Sequence, residues 1–546
     1  MFLNDYIWRI CERKSKDLLE HLLALRGITS CDKEAFLNPK FPDHLFDPFL
    51  MPDMAQAIKR LRTAQKNSER IGVFADFDAD GILGAVLLKE GLLKAGFDPS
   101  VFIPERQQGY GLSREGILEL KNKGAKLLIT VDLGITGREL VDFAKSLGLE
   151  VIVTDHHEVQ EALYPQGASA VLNPKIAPYP FGGLSGAAVA WKLLYAMAIA
   201  GFKISESFLK WSLDLVALSL VVDIVPLVSE SRVLYRYGEI VLKKTRRQAL
   251  LTLYKKAGLL AENIDPYAIG YLLGPRINAA NRVASSHLAF RLLSSSDSEE
   301  IEVLAERLEE LNRTRQRLFE EAFALAEEFF DLNKKIVVAF GEWPEGINGL
   351  VAQKLAEKYA RPAVVFSLLE DGRLKGSARS PAKINLLELF ADAKKHLLTF
   401  GGHKNAVGLS LLPAKKESLL QSLLAASEKL EVRKELFIET WLAQEEINLE
   451  LLSLLEKLAP FGNGNPKPLF AARLPIRNLR RVGNADKHLQ IDFGSFSGII
   501  FSEEQRFAWL KMGGKADFAF EVIKDTFLGR IQPRLIIKDV RKPSAK

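Results

Sequence analysis

The 546-residue chain has little cysteine and no long apolar segment. Its two cysteines, Cys11 and Cys31, exclude a disulfide framework and fit a reducing cytosol. The first fourteen residues lack an apolar signal core, and no run of about twenty apolar residues occurs, the strongest being interrupted by Asp223 and Pro226. We therefore expect a cytoplasmic protein without a membrane anchor.

The charge balance is modest. A formal net charge of +6 permits nucleic-acid binding but does not require it, and 48% hydrophobic residues suffice for several buried cores. Composition alone therefore does not indicate a function. The local sequence motifs are more informative.

Three carboxylates occur at every second position where an apolar run ends. Asp76, Asp78 and Asp80 follow the strand-like segment Ile71-Gly-Val-Phe74 and precede Gly81. In open α/β sheets, ligands bind at such strand ends. Three acids this close repel one another unless a cation holds them, which predicts a hard, oxygen-binding metal.

Two other structures have the same local pattern. An EF-hand loop needs a Glu at its twelfth position and a preceding helix, whereas this chain has Leu87 and a strand, so the EF-hand is excluded. A solvated acidic turn remains an alternative for the motif taken alone.

Further clusters favour the metal. Asp132 closes the run 126–131, Asp155-His-His157 closes 150–154, and Asp223 ends the apolar run that begins at Leu213. A single acid could be a helix N-cap, and the two histidines could be buried in a capped turn. Carboxylates together with imidazole suit Mn²⁺ or Mg²⁺. A two-ion site would activate a water and neutralise a phosphoryl group.

Strands alternate with helices from about residue 70 to 240, which predicts a doubly wound parallel α/β sheet. The expected strands lie at Val73, Val101–Ile103, Leu127–Val131, Val151–Thr154 and Ala170–Leu172. A long charged helix from Glu299 to about Phe330 follows; its heptad pattern is too short for a coiled coil.

A second, smaller α/β unit begins at 335, and five short strands near the C-terminus predict a barrel of OB type. The basic residues of that barrel favour nucleic-acid binding, although an ordinary solvated face is the alternative. The predicted domains are a helical lead-in (1–70), a first α/β domain (71–298), a connecting helix (299–333), a second α/β domain (334–413), a helical linker (414–458) and an OB-like barrel (459–546).

The four acidic motifs resemble those of the DHH phosphoesterase superfamily. Over nearly the whole chain the sequence is similar to the bacterial RecJ single-strand-specific exonucleases. The further segments that carry this resemblance are 103–111, 184–191, 274–280, 375–380, 400–403 and 460–466. The resemblance identifies the two α/β domains as DHH and DHHA1 domains.

The resemblance also implies roles for the motif residues. The implied metal ligands are Asp76, Asp78, Asp80, Asp132, His156 and Asp223. Asp132 would bridge two ions, and Asp78 and Asp80 would be the stronger ligands of the opening three. Among the catalytic residues Asp132, His156, His157 and Asp155, His157 would contact the scissile phosphate and Asp155 would orient its neighbours.

Residues outside the metal motifs are expected to bind substrate. The implied set is Arg106, Tyr110, Arg276, Asn278, Ser377, Arg379, Gly401, Gly402 and His403. Arg276, Arg379 and Ser377 would hold phosphate at the 5′ end, and Arg106 and Tyr110 would contact the bases or backbone. The paired glycines would allow close approach of the strand beside His403. Glycine turns, a core tyrosine and surface arginines are the structural alternatives. The chain departs from the pattern of its relatives at three positions. Phe74 stands where some superfamily members have His. Asn281 stands where Gly is usual, and Pro344 stands where Trp-His is usual.

The implied function is a 5′→3′ exonuclease that uses Mn²⁺ or Mg²⁺ to degrade single-stranded DNA to 5′-mononucleotides in recombination and repair. Expected partners are single-stranded DNA, a single-strand-binding protein and a helicase, with the enzyme itself a monomer. Two alternatives are a DHH phosphoesterase for oligoribonucleotides or cyclic dinucleotides and a non-catalytic strand-binding scaffold. The scaffold would be expected to lack motif acids, and none is lost here.

Overall fold

The computed structural model describes residues 6–106, 109–381, 383–483, 486–501, 504–526 and 530–543. Gln107 and Gln108, within one of the segments that carry the resemblance, lie outside the described residues. The chain divides into two compact units: one comprises 45–225 and 234–432, and the other comprises 1–44, 226–233 and 433–546. None of the helices in the described part of the chain is both long and apolar enough to cross a membrane.

The larger unit begins with a five-stranded sheet in which every strand is parallel to its neighbours. Its strands, in spatial order, are Pro99–Phe102, Arg70–Ala75, Ala125–Val131, Glu150–Thr154 and Ala170–Leu172. The predicted parallel sheet and its five strands are therefore confirmed. Both faces of the central strands are buried, which explains their nearly continuous apolar sequences.

Helices cover this sheet and extend beyond it. They are Met54–Lys66, Ala79–Lys94, Arg114–Asn122, Arg138–Ser146, Gly186–Ile199, Glu206–Trp211, Leu213–Val222, Ser229–Lys243, Gln248–Ala257, Gly274–Val283 and His287–Ser294. The apolar run that ends on Asp223 thus forms a helix, and Asp223 is its C-cap.

The connecting helix, Ser298–Glu327, lies close to its predicted position. It packs against Gly274–Val283 on one side and Asn348–Tyr359 on the other. Its buried positions include Ile301, Leu304, Leu308 and Leu311, which form the helical stripe that the sequence indicates. The helix therefore links the two α/β parts of this unit.

The second sheet of the unit is mixed. Its strands, in spatial order, are Thr399–His403, Ala406–Leu411, Leu374–Arg379, Ala363–Leu368 and Val337–Gly341. Only the last two are parallel to each other. Helix Lys416–Ser427 buries Leu419 and Leu423 in the core of this sheet, so it packs as part of the second α/β core.

The smaller unit contains helices Leu18–Leu25, Lys33–Leu37 and Leu449–Leu458, and strand Ile7–Ile10 paired in parallel with Glu435–Ile438. Its main sheet, in spatial order, is Thr440–Trp441, Phe470–Pro475, Lys515–Asp525, Gln532–Arg541, Ser497–Phe501, His488–Asp492 and Asn478–Val482.

Three predictions outside the two α/β domains need correction. The sheet contains seven strands where five were expected, because Thr440–Trp441 is very short and Asn478–Val482 is largely exposed and basic, so neither has an apolar strand signal. The stretch 414–458 is not wholly helical, since it contains the strand Glu435–Ile438. The lead-in likewise includes the strand Ile7–Ile10, whose partner strand lies far along the chain at Glu435–Ile438.

Candidate metal centre and phosphate-binding cluster

The motif acids meet because each continues the sheet by one residue. The backbone N–H of Asp76 donates to Val131 O at 3.1 Å, that of Asp132 to Thr154 O at 3.0 Å, and that of Asp155 to Leu172 O at 3.0 Å. Each acceptor is the last residue of the neighbouring strand. Three acids from consecutive strands are thereby aligned along one edge of the sheet, as expected for parallel strands.

Local backbone geometry directs Asp132 toward this edge. Its φ of 63° lies in the left-handed region, which Asp tolerates better than most residues. Gly186 begins the helix beside it, and a Cβ at position 186 would lie 2.5 Å from the Cβ of Asp132. The close approach of that helix to Asp132 therefore requires a glycine.

Asp78 and Asp80 are held by helix N-termini. Asp78 is the N-cap of Ala79–Lys94, and its Oδ1 accepts from the N–H of Asp80 at 2.9 Å and of Gly81 at 3.1 Å. Asp80 accepts from the N–H groups of Gly186 and Ala187 and from the Ser219 hydroxyl. Both oxygens of Asp80 are therefore already hydrogen-bonded.

Three buried atoms in the cluster have no hydrogen-bond partner: Asp76 Oδ1, Asp132 Oδ1 and His156 Nε2. The Nε2 atom of His156 lies 3.1 Å from Asp132 Oδ1 and 3.4 Å from Asp223 Oδ2. Buried polar groups normally find partners, so these atoms need one that the protein does not provide. Of the three opening acids, Asp76 rather than Asp80 has the unpartnered oxygen.

Three groups of side chains could each hold a metal ion, with ligand atoms within 4.8 Å of one another. They are Asp76 with Asp78 and Asp132, Asp80 with His156 and Asp223, and Asp132 with His156 and His157. Asp132 belongs to two of these groups, and so does His156. The structure therefore brings all six predicted metal ligands together.

The pKa values respond to this crowding. Burial, reinforced by neighbouring carboxylates, raises the pKa of Asp76, Asp132 and Asp223 well above the usual range of a carboxyl group. Burial also lowers the pKa of His156 to about 4, which leaves a neutral imidazole able to bind metal. A divalent cation would stabilise the ionised carboxylates.

Asp155 has a different role in the geometry. Its Oδ1 accepts from His157 Nδ1 at 2.8 Å and from the His156 N–H, and its Oδ2 accepts from the Ile135 N–H. Burial alone would raise the pKa of Asp155, but the hydrogen bond and charge of His157 lower it. Asp155 therefore orients the two histidines, consistent with its predicted role.

Tyr110 and His157 lie together at the rim of the cluster. The Tyr110 hydroxyl is 3.0 Å from His157 Nδ1 and 3.4 Å from Asp132 O, and the tyrosine is 52% exposed. Burial opposes protonation of His157, but its hydrogen bond to Asp155 and the nearby carboxylates raise its pKa. A partly exposed imidazole with a raised pKa is suited to contact an anion.

Four arginines form a cation cluster, defined as Arg106, Arg282, Arg315 and Arg379. Burial, followed by the charges of the other three arginines, lowers the pKa of Arg282 to about 9. Among the residues that the structure describes, none of the four has a carboxylate partner. Half-buried guanidinium groups that repel one another and lack counter-ions are suited to bind a phosphate.

Neutral groups hold the cluster in place. Arg282 donates to Gly346 O at 2.9 Å, and Arg379 donates to Ala378 O and to Ser377 Oγ at 3.2 Å. A Cβ at Gly349 would lie 2.8 Å from Arg379 Nη2. Gly349 thus leaves space for that guanidinium group, and the predicted pair Ser377 and Arg379 is brought together.

Arg276 is placed differently from the other predicted phosphate ligands. Its Nε and Nη2 donate to the two carboxylate oxygens of Glu309, at 2.7 and 3.3 Å. Its bidentate fork is therefore already occupied. Arg282 and Arg315 were not predicted from the sequence; Arg282 could have been noticed because it lies one helical turn after Asn278.

Asn278 and Asn281 hold the loop that carries the opening acids. Asn278 Oδ1 accepts from the Ala79 N–H, and Asn281 Nδ2 donates to Phe77 O, both at 3.0 Å. Asn281 lies inside the helix Gly274–Val283, and its side chain is bonded to this loop. Phe74 is fully buried against Phe102 and adds to the core instead of the metal ligands.

The remaining predicted substrate residues lie on the edge strand Thr399–His403. A Cβ at Gly402, where φ is 141°, would lie 2.3 Å from Ala406 O, whereas Gly401 faces open space. Burial and the charges of His157 and Lys175 lower the pKa of His403. His403 is therefore close enough to the metal cluster for the charge of His157 to affect its pKa.

The smaller unit has its own polar surface on the OB-type sheet. A pocket of about 540 Å³ is lined by Asn478, Arg480, Gln490, Asp492, Ser497, Asp525, Gln532 and Arg534. Arg473 of the same sheet is paired with Asp517. The pocket holds two aspartates beside its two arginines, and Asp525 lies 3.6 Å from Arg534, so its charges are balanced.

Comparison with known proteins assigns the domains. Family models match the DHH family N-terminal domain at residues 70–220, the DHHA1 domain at 333–429 and the RecJ OB domain at 438–539. Together with the carboxylate and imidazole cluster, these matches define a protein of the DHH–DHHA1 class. The predicted fold class is confirmed.

Similar proteins of known name identify the family within this class. The chain is 32% identical to the single-stranded-DNA-specific exonuclease RecJ of Bacillus subtilis, over 96% of this chain and 67% of that protein. It is 31% identical to that of Salmonella typhimurium, over 96% and 95%. The crystal structure of RecJ in complex with Mn²⁺ from Thermus thermophilus superposes with a TM-score of 0.85 at 26% identity, covering 99% of this chain and 80% of that one. The chain belongs to the RecJ family.

Substitution of Asp132 is expected to remove more bound metal than substitution of Asp223, because Asp132 lies in two ligand groups and Asp223 in one. We expect the native chain to bind about two Mn²⁺ ions, Asp223→Ala about one and Asp132→Ala fewer still. Titration calorimetry or metal analysis after gel filtration measures this. Asp98→Ala, at an exposed acid, is the matched control; equal loss in both site variants would contradict a bridging Asp132.

Mn²⁺ is expected to stabilise the fold more strongly as the pH rises from about 5 to about 8. Because the pKa values of Asp76, Asp132 and Asp223 are raised, the folded metal-free protein binds more protons than the unfolded chain, and this contribution to stability falls with rising pH. A cation replaces those protons. Thermal unfolding with Mn²⁺ or chelator at each pH provides the measurement, and a metal-induced shift independent of pH would contradict the explanation.

Proposed function

We propose that this chain is a metal-dependent 5′→3′ exonuclease that hydrolyses single-stranded DNA to 5′-mononucleotides. The observation that carries the proposal is the pairing of an unsatisfied carboxylate–imidazole cluster with an unpaired cation cluster in the same unit. The first suits a metal-assisted attack on a phosphodiester, and the second suits a terminal phosphate. The relatives named for single-stranded-DNA-specific exonuclease activity support the substrate.

The proposed metal ligands fit Mn²⁺ or Mg²⁺. Carboxylate oxygens and a neutral imidazole form the donor set. The unpartnered atoms of Asp76, Asp132 and His156 have no hydrogen-bond donor or acceptor within the protein, and bound ions would supply their missing partners. Solved RecJ structures from Thermus thermophilus contain Mn²⁺ and Mg²⁺. Bound ions would supply a nucleophile from water at neutral pH and neutralise charge on the phosphoryl group.

The protein side chains position the substrate around this centre. Asp155 fixes the orientation of both histidines, and His157, the more exposed of the two, contacts the scissile phosphate. Asn278 and Asn281 fix the loop of Asp76 to Asp80 from the neighbouring helix. Arg106, Arg379 and Ser377, joined by Arg282 and Arg315, hold the 5′-terminal phosphate.

The glycine-rich edge strand Thr399–His403 would contact the rest of the DNA strand. Gly401 is open to solvent and Gly402 permits a tight hairpin, so backbone approaches the nucleic acid there without side-chain obstruction. Tyr110 and His403 flank the same region of the centre. We retain a single-strand-binding protein and a helicase as candidate partners, and a monomeric state, on the resemblance alone.

The exonuclease proposal is tested with a 5′-phosphorylated, 3′-labelled single strand in Mn²⁺ or Mg²⁺. We expect progressive shortening from the 5′ end, mononucleotide products and loss of activity on chelation or in Asp132→Ala; a blunt duplex should resist. Tight binding without cleavage would indicate a scaffold. Intact DNA with cleavage of short oligoribonucleotides would instead indicate a small-substrate phosphoesterase.

The cation cluster is expected to make the enzyme sensitive to the 5′ phosphate. Arg379→Gln and Arg282→Gln should each reduce kcat/KM on a 5′-phosphorylated strand by roughly 10- to 100-fold, the loss typical of one charged hydrogen bond. On a 5′-hydroxyl strand the same variants should lose little. Arg373→Gln, an exposed arginine paired with Asp371, is the matched control. Equal losses on both strands would contradict a role at the terminal phosphate.

A further inference from the structure

Two exposed tyrosines stack on each other at the start of the helix that touches the metal loop. Tyr267 is 64% exposed and Tyr271 is 69% exposed, and their ring centroids are 4.7 Å apart with planes inclined by 25°. Contiguous exposed apolar surface, unlike a single exposed ring, often marks an interaction site. The proposed mechanism does not use either ring.

The backbone beneath them is unusual. Residues Ala268–Leu273 form a π-helical turn that runs directly into the α-helix Gly274–Val283. Wider turns of this kind are rare and concentrate at functional sites. The side chains at positions 267 and 271 are about one turn apart and lie on the same face of the helical segment, which allows the rings to stack.

One face of this helical segment connects the tyrosines to the proposed active site. Partly or largely exposed residues recur at spacings of four, four, three and four, which is one face of a helix. They are Tyr267, Tyr271, Pro275, Asn278 and Arg282. Arg282 belongs to the cation cluster, and Asn278 accepts from the Ala79 N–H beside Asp78. Tyr271 precedes Asn278 by seven residues, or roughly 10 Å along the helix.

The inner face of the same segment lies against the helix that carries Asp223. A Cβ at Gly274 would lie 2.6 Å from Val222 Cγ1, and one at Gly270 would lie 3.7 Å from Val221 Cγ1. The glycines therefore bring the segment against the two residues that precede a metal ligand. The tyrosine pair is thus fixed relative to the metal centre.

We propose that Tyr271, supported by Tyr267, forms a stacking platform for a base of the single strand on the 3′ side of the scissile phosphate. The inference rests on the proposed function: the 5′ phosphate lies at Arg282, the scissile bond lies beside Asn278, and the following bases extend along the same face. Aromatic stacking suits this position because it binds any base and carries no sequence preference. A protein partner on this surface is the competing outcome of the test.

The platform is tested by combining tyrosine variants with abasic substrates. Tyr271→Ala should raise KM on single-stranded DNA about tenfold, the change expected from losing one stacked base, with little change in kcat. Tyr271→Trp should restore KM. Phe329→Ala, which removes an exposed aromatic ring elsewhere in the same unit, is the matched control. A strand with one abasic nucleotide, moved stepwise from the 5′ end, should impair the native enzyme at one position at which Tyr271→Ala is insensitive.

The outcomes separate the two proposals. Activity of the native enzyme on an unmodified strand establishes the nuclease independently of the tyrosines. If Tyr271→Ala and the double variant with Tyr267→Ala retain native KM values at every abasic position, the platform is wrong while the nuclease stands. A fall in thermal stability with unchanged KM would assign the pair a structural role, and would also overturn the platform.

Discussion

Like-charge crowding at one sheet edge is the constraint on which the rest of this structure depends. Asp76, Asp132 and Asp155 each donate a backbone N–H to the end of the adjacent strand, so the parallel sheet itself forces their carboxylates together. Burial makes the repulsion costly because the surrounding dielectric is low. Hydrogen-bond donors of the fold stabilise some of these carboxylates. The others require a bound cation to offset the repulsion.

The distribution of those donors separates the roles of the acids. Asp155 and Asp80 accept several hydrogen bonds each from backbone and side-chain groups, and these bonds fix the orientation of both carboxylates. Asp76 and Asp132 each retain a buried oxygen without a partner. A buried oxygen without a partner is costly, so these two atoms indicate that a ligand supplies the missing interaction.

Much of this arrangement could be predicted from sequence because it depends on local rules. Apolar runs that end on Asp76, Asp132 and Asp155 indicate parallel strands whose ends meet, and the five strands of that sheet follow from the same pattern. The pairing of Arg276 with Glu309 could not be predicted, because the two residues lie on separate helices and only packing brings them together. Arg282 and Arg315 were missed for the same reason: a lone arginine on a helix has no signal until its neighbours are known. The strand Asn478–Val482 was missed because its exposed basic residues lack apolar alternation.

The separation of opposite charges also explains how such a site would select a chain end. The cation cluster and the carboxylate cluster interact electrostatically. The charge of Asp78 raises the pKa of Arg282, whereas burial lowers it. Arg282 and Arg379 donate to the backbone carbonyls of Gly346 and Ala378, and neither forms an ion pair with a carboxylate in the described part of the chain. A terminal phosphate carries about −1.5 to −2 charges near neutral pH, whereas an internal phosphodiester carries about −1. Several guanidinium groups without counter-ions would therefore favour the terminal phosphate over an internal one, and would direct cleavage to the bond that the anchored end presents to the proposed metal ligands. In the proposed function, a preference for ends over internal positions would come from the number of unpaired cations, without any recognition of sequence.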